Sequence, residues 1–230
     1  MIEAVTSPKY WDYSDFEKAT CVLTTFGPGV FVPAYNRPES IHLQGMRRTI
    51  DALDAKTDHT GKEHARSVLA DVESRSLVYG RTTTGSAFRT RIDTARQPGR
   101  EQYQRLVGSI HTHPLTIGEA GLESVSHGFS NKDFTTFLTD LDQQFMIIRF
   151  GRNTLIMLKT SATPNSLSEE SVEAHVQSLT DEFISGNHPS TVLAQAITFN
   201  KAVCTEFGLT LYLATEKSKD LAQRIEVTNF

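Results

Sequence analysis

Cysteine is scarce in this sequence. Of 230 residues only Cys21 and Cys204 carry thiols, and they form no CxxC pair, which argues against a cysteine zinc site or a disulfide-built scaffold. Long apolar runs are missing as well: no stretch approaches the ~20 residues a membrane span needs, so no membrane partner is expected. Nor is there an excess of positive charge. The 23 Lys and Arg against 27 Asp and Glu leave a net charge of −4 and a pI near 6.1, so nothing draws the whole chain to nucleic acid. The opening "MIEAVTSPKYWDYSDFEKA" lacks the basic and then apolar pattern of a secretory leader, and the expected compartment is the cytoplasm.

What is present is the composition of an ordinary globular protein, 38% hydrophobic and 22% charged with 14 glycines and 8 prolines. A chain this long can bury one core, or one domain with an appendage. "TCVLTTFGPGVFVPAY" reads as two strands around a Gly-Pro-Gly turn. In "IHLQGMRRTIDALDA" the residues Ile41, Met46, Ile50 and Leu53 recur at helical spacing, and "KTDHTGKEH" follows as a polar loop. Ala65, Val68, Leu69 and Val72 share one side of a second expected helix over Glu63 to Val72. A hairpin is expected in "SLVYGRTTTGSAFRTRID" and a buried strand in "RLVGSIHTHP". Next come a helix in "NKDFTTFLTDLDQQ" and a hairpin in "QFMIIRFGRNTLIMLKT". After a linker at 161–168 the chain reads as mainly helical, with a strand in "LTLYLAT" and a short amphipathic end.

The chemistry concentrates in "HTHP" at 111–114. Residues i and i+2 of a strand face the same way, so His111 and His113 can present both imidazoles to one point. Taken alone, such a pair is more often two histidines satisfied by hydrogen bonds. A catalytic zinc takes three nitrogen or oxygen ligands and leaves a fourth position open, and Asp133, in "SNKD" at the start of the next helix, is the natural third ligand.

With Glu73 in "ESRSLVYG", "HTHP" and "SNKD" falling in that order, the sequence resembles the JAMM metallopeptidases, also called JAB or MPN+, over about residues 45 to 160. The resemblance implies an α/β (α+β) fold: a curved mixed β-sheet flanked by helices. Around that domain, at 45–164, it leaves an N-terminal hairpin extension at 1–44 and a helical C-terminal extension at 165–230. It implies that His111, His113 and Asp133 bind Zn2+, that Glu73 is the general base, and that Ser130 donates a hydrogen bond to the developing oxyanion. The implied activity is hydrolysis of the isopeptide or peptide bond after the C-terminal tail of ubiquitin or a ubiquitin-like protein. Two alternatives stand beside it: a non-catalytic MPN-like scaffold that binds partners, and a peptidase acting on a small sulfur-carrier or other peptide.

One departure is length. Fifteen residues, 115–129, separate Pro114 from Ser130, where many family members have about six. That excess, with its glycines and His127, reads as a lid or clamp beside the site. The histidines at 42, 59, 64, 175 and 188 lack ligand spacing and are expected at the surface, and Glu63-His64 is not part of an HExxH pattern. The basic run "RTRIDTARQPGR" offers a surface for nucleic acid or an acidic tail, with a solvated hairpin face as the plainer reading.

Overall fold

A computed structural model describes residues 20–23, 30–33, 37–87, 89–114, 128–186, 189, 191–218 and 220–225. It shows a mixed α/β architecture, as expected. Strands β1 (Thr20–Leu23) and β2 (Val30–Pro33) pair antiparallel as the expected hairpin. The remaining elements are β3 (Ser40–His42), α1 (Gln44–Thr60), β4 (His64–Asp71), β5 (Ser76–Tyr79), β6 (Thr83–Thr84) and β7 (Gln104–His113), followed by α2 (Asn131–Thr139), β8 (Phe145–Phe150) and β9 (Asn153–Leu158). The chain continues through α3 (Glu169–Ser185), α4 (Val192–Glu206), β10 (Thr210–Ala214) and β11 (Leu221–Arg224).

Nine strands form one sheet in the order β3-β11-β10-β9-β8-β7-β4-β5, with β6 also on β4. Only β7 and β8 run parallel, joined across the sheet by the crossover that contains α2. The sheet crosses both expected domain boundaries. β10 pairs with β9, and β11 bridges β10 to β3, so Ser40–His42, Thr210–Ala214 and Leu221–Arg224 complete the central sheet instead of forming extensions to it.

Alternation along β8 and β9 sorts the core into two layers. Phe145, Ile147, Ile156 and Leu158 join Met46, Ile50 and Leu53 of α1 on one face. Met146, Ile148, Leu155 and Met157 meet Phe134, Phe137, Val172, Val176, Phe199 and Val203 of α2, α3 and α4 on the other. Every residue of β8 is buried, which is why that segment reads as an unbroken apolar run.

The expected helix over Glu63 to Val72 is strand β4. Helix α1 runs on to Thr60 through the segment expected to be a loop, and ends at Gly61, whose left-handed φ of 62° turns the chain. β4 follows at once, and seven of its eight residues are buried. A strand covered on both faces loses the alternation that would distinguish it from a helix. The expected hairpin beyond it also differs, because β5 and β6 each pair with β4 and not with one another. His64, expected at the surface, is only 3% exposed. Its ring lies between the hydroxyls of Thr60 and Thr84 at 2.9 and 3.1 Å, and burial, with Lys56 nearby, pushes its pKa down.

Candidate metal centre

β7 carries the two histidines into the molecule. Alternation sends Thr112 to the α1 face, where its hydroxyl shares a hydrogen bond with Thr57, and sends His111 and His113 together to the α2 face. They are 5% and 8% exposed. Their Nε2 atoms are 3.0 Å apart. Asp133 closes the group: its Oδ1 is 3.2 Å from His111 Nε2 and its Oδ2 is 3.5 Å from His113 Nε2.

The position of Asp133 follows from a local rule. "SNKD" is a capping box that starts α2: the Ser130 N–H donates to Asp133 Oδ2 at 2.8 Å, and the Asp133 N–H donates to Ser130 Oγ at 3.2 Å. The Ser130 hydroxyl also donates to Asp133 Oδ2, at 2.8 Å. Ser130 therefore positions Asp133, with its hydroxyl directed at that carboxylate.

Behind Ser130 the chain is anchored by α4. Asn200, fully buried, accepts a hydrogen bond from the Phe129 N–H at 2.9 Å and donates to the Ala196 carbonyl at 2.8 Å. A Cβ at Gly128 would fall 2.0 Å from Asn200 Nδ2, so only glycine permits this approach. Residues 115–127, including His127 and most of the expected lid, lie outside the described residues.

The donor set fits a metal ion. His111, His113 and Asp133 each offer one ligand atom, all within 4.8 Å of one another. Metal–ligand bonds of ~2.0–2.1 Å in a tetrahedron set neighbouring ligands ~3.3 Å apart, and the spacings here run from 3.0 to 3.5 Å. Burial alone would raise the Asp133 pKa. The charge of His111 and the hydrogen bonds from both histidines outweigh that and hold its carboxyl well below the usual range.

The glutamate at this centre is Glu63, and the sequence reading missed it. The β4–β7 register sets Ala65 opposite His111, and two residues further in the same register Glu63 falls opposite His113. Glu63 Oε1 lies 3.9 Å from His113 Nε2, and the residue is 7% exposed. Burial raises its pKa, only partly offset by His113 and His111. Its main chain is fixed by a hydrogen bond from its N–H to the Ser86 carbonyl and another from the Gly85 N–H to its own carbonyl, at 2.8 and 2.9 Å.

Glu73, the expected base, sits elsewhere. It follows β4 in the turn to β5, half exposed, and pairs with Arg100. At ~3.3 Å per residue this end of the strand is more than ~20 Å from the histidines. Its neighbour Asp71 takes the same guanidinium in a fork, from Nε at 3.0 Å and Nη2 at 2.6 Å, so Glu73 belongs to a structural ion-pair network.

A cavity of about 430 Å³ opens at the cluster, lined among others by Glu63, His111, Asp133, Ser109 and Met146, with residues 89–92 as one wall. The basic run expected on a solvated hairpin face thus contributes Arg89 and Arg91 to the pocket. No helix among the described residues is long and apolar enough to cross a membrane. No protein-family description, curated protein or solved structure matches this chain.

Proposed function

We propose that this protein is a zinc-dependent peptidase of the JAMM kind, with His111, His113 and Asp133 as ligands and Glu63 as general base. The observation that carries the reading is the buried Glu63 carboxylate beside His113 at the mouth of an open pocket. A buried acid with a raised pKa and no Lys or Arg partner among the described residues is suited to taking up and releasing a proton. An ion-paired surface glutamate is not. Two nitrogen donors with one carboxylate are a donor set suited to zinc.

Zinc held there would supply Lewis acidity, lowering the pKa of water and polarising the scissile carbonyl. Glu63 accepts the proton of the attacking water and passes it to the leaving amine. Ser130 and the first turn of α2 keep the Asp133 carboxylate aimed at the histidines, and the helix N-terminus favours its charge. The substrate we favour is the amide bond after the extended C-terminal tail of ubiquitin or a ubiquitin-like protein, since such a tail can thread into a pocket of this size.

The test is metal content with turnover. Protein purified without chelator should hold one zinc per chain and lose it in His113→Ala. The parent should release a fluorogenic amine from a ubiquitin-like tail, while Glu63→Gln keeps the zinc and loses the release. A folded parent that takes up no zinc would end the reading.

A further inference from the structure

We propose that the site selects substrates with an acidic side chain beside the scissile amide, held by Arg89 and Arg91; this rests on the hydrolase reading above. Both arginines line the pocket that contains the metal cluster, and both are exposed. Neither has an ion pair among the described residues. The third cation of the lining, Lys132, is engaged by Glu169 and Glu173 at 2.5 and 2.9 Å. The unneutralised positive charge of the pocket is therefore that of the 89–91 wall.

That wall is fixed. The Arg89 carbonyl accepts from the Ser86 N–H at 2.8 Å, the Arg91 carbonyl from the Thr83 hydroxyl, and the Asp93 carbonyl from the Ser67 hydroxyl at 2.5 Å. Alternate carbonyls are thus tied back to β4 and its neighbours, so the two arginines sit at set positions on the wall. Two guanidinium groups on one wall are a set of donors that suits a carboxylate.

Charge across the pocket points the same way. Glu63 and Asp133 are its two acids, and both face the histidines. A divalent ion held by His111, His113 and Asp133 would offset the charge of the two acids, leaving the arginines to set the sign of the potential that an approaching chain meets. A basic residue at that point would be repelled.

The probes are fluorescein-labelled hexapeptide amides with Gly-Gly at the scissile bond and Glu, Gln or Lys on either side. On zinc-loaded parent we expect kcat/KM to fall in the order Glu, Gln, Lys, spanning ~10-fold at low salt, about what two exposed arginines supply, and to flatten at 1 M salt, where the Debye length is ~3 Å. Arg89→Glu with Arg91→Glu should reverse the order, with the change read in KM. Arg89→Gln with Arg91→Gln should erase it, and urea midpoints check that both proteins fold. Anisotropy on zinc-loaded Glu63→Gln gives the same ranking without turnover. If no peptide is cleaved, the hydrolase reading fails while this binding series still decides the charge preference. Equal binding of the three peptides, no binding, or a ranking unmoved by the double variants overturns the proposal.

Discussion

The two ends of strand β4 carry a glutamate each, ten positions apart, and physics has made them different reagents. Glu63 precedes the strand, is 7% exposed, and faces two histidines, with burial raising its pKa. Glu73 follows the strand, is half exposed, and shares Arg100 with Asp71. At one end a carboxylate is mostly buried, with no Lys or Arg ion pair among the described residues, a setting that suits proton exchange. At the other it is neutralised by a guanidinium and serves to tie a turn. The chemistry of a glutamate is set by what the sheet places opposite it, and a spacing along the chain does not contain that.

The sharpest way to break this comparison is to remove each carboxylate in turn. Glu63→Gln keeps shape and a hydrogen-bonding end group but cannot take a proton. It should lower kcat/KM by ~10³-fold, within the range of a lost general base, with zinc content unchanged. Glu73→Gln should leave kcat/KM at the parent value. The opposite result in the two proteins would return the base role to Glu73.

The far end of the strand should show its character in stability. Asp71 is 2% exposed, and Arg100 holds its carboxyl far below the usual range, helped by Ser74 and Gln104. Because the folded pKa is depressed, the stability it contributes is complete above the unfolded value of ~3.9 and drains away as pH falls through and below it. Asp71→Asn should lower stability at pH 7, because the Arg100 guanidinium and the Ser74 and Gln104 donors lose the charge of their common acceptor. It should also flatten the loss of stability between pH 5 and pH 2, read from urea unfolding across that range, and metal uptake should be unaffected. A variant with the parent's acid sensitivity would show that the pair contributes nothing.

The difference between the ends also explains what the sequence could reveal. His111 and His113 were legible because strand alternation is a local rule, and Asp133 because "SNKD" stands at the start of the next expected helix, where the resemblance also implies a ligand. Glu63 was not legible. Its partner His113 lies fifty positions away and meets it only through the β4–β7 register. β4 itself reads as a helix because both of its faces are covered. The sheet's far edge was legible in part: "LTLYLAT" reads as the strand that β10 is, but its pairing with β9, and a further strand β11 beside β3, follow only from the assembled sheet. Arg89 and Arg91 read as a solvated surface because nothing local marks the pocket behind them.

The histidine end of the strand should depend on a residue outside the candidate ligand set, and that dependence can be measured. Asn200→Leu removes the acceptor that holds the Phe129 N–H and leaves that buried donor unpaired. The chain entering Ser130 should loosen, and zinc affinity should fall ~10-fold or more, as for other groups that support a ligand. A competition titration with a chelator reads this. Asn200→Asp, which keeps an acceptor, should recover part of the affinity, whereas a defect of packing alone would be as bad with either residue.

The smallest effect is the one that isolates Glu73. Its carboxylate shares an already engaged guanidinium, and half of its side chain is in solvent, where water and salt screen the attraction. Exposed pairs of this sort contribute ~0–1 kcal/mol, so Glu73→Gln should move the urea midpoint only slightly, and less still at high salt. Asp71→Asn should stay the costlier of the two at every ionic strength, because Asp71 is 2% exposed and its carboxylate also accepts from Ser74 and Gln104. If Glu73→Gln destabilised as much as Asp71→Asn, the Arg100 network would be one cooperative unit, and the turn after β4 would be held as tightly as the strand it ends.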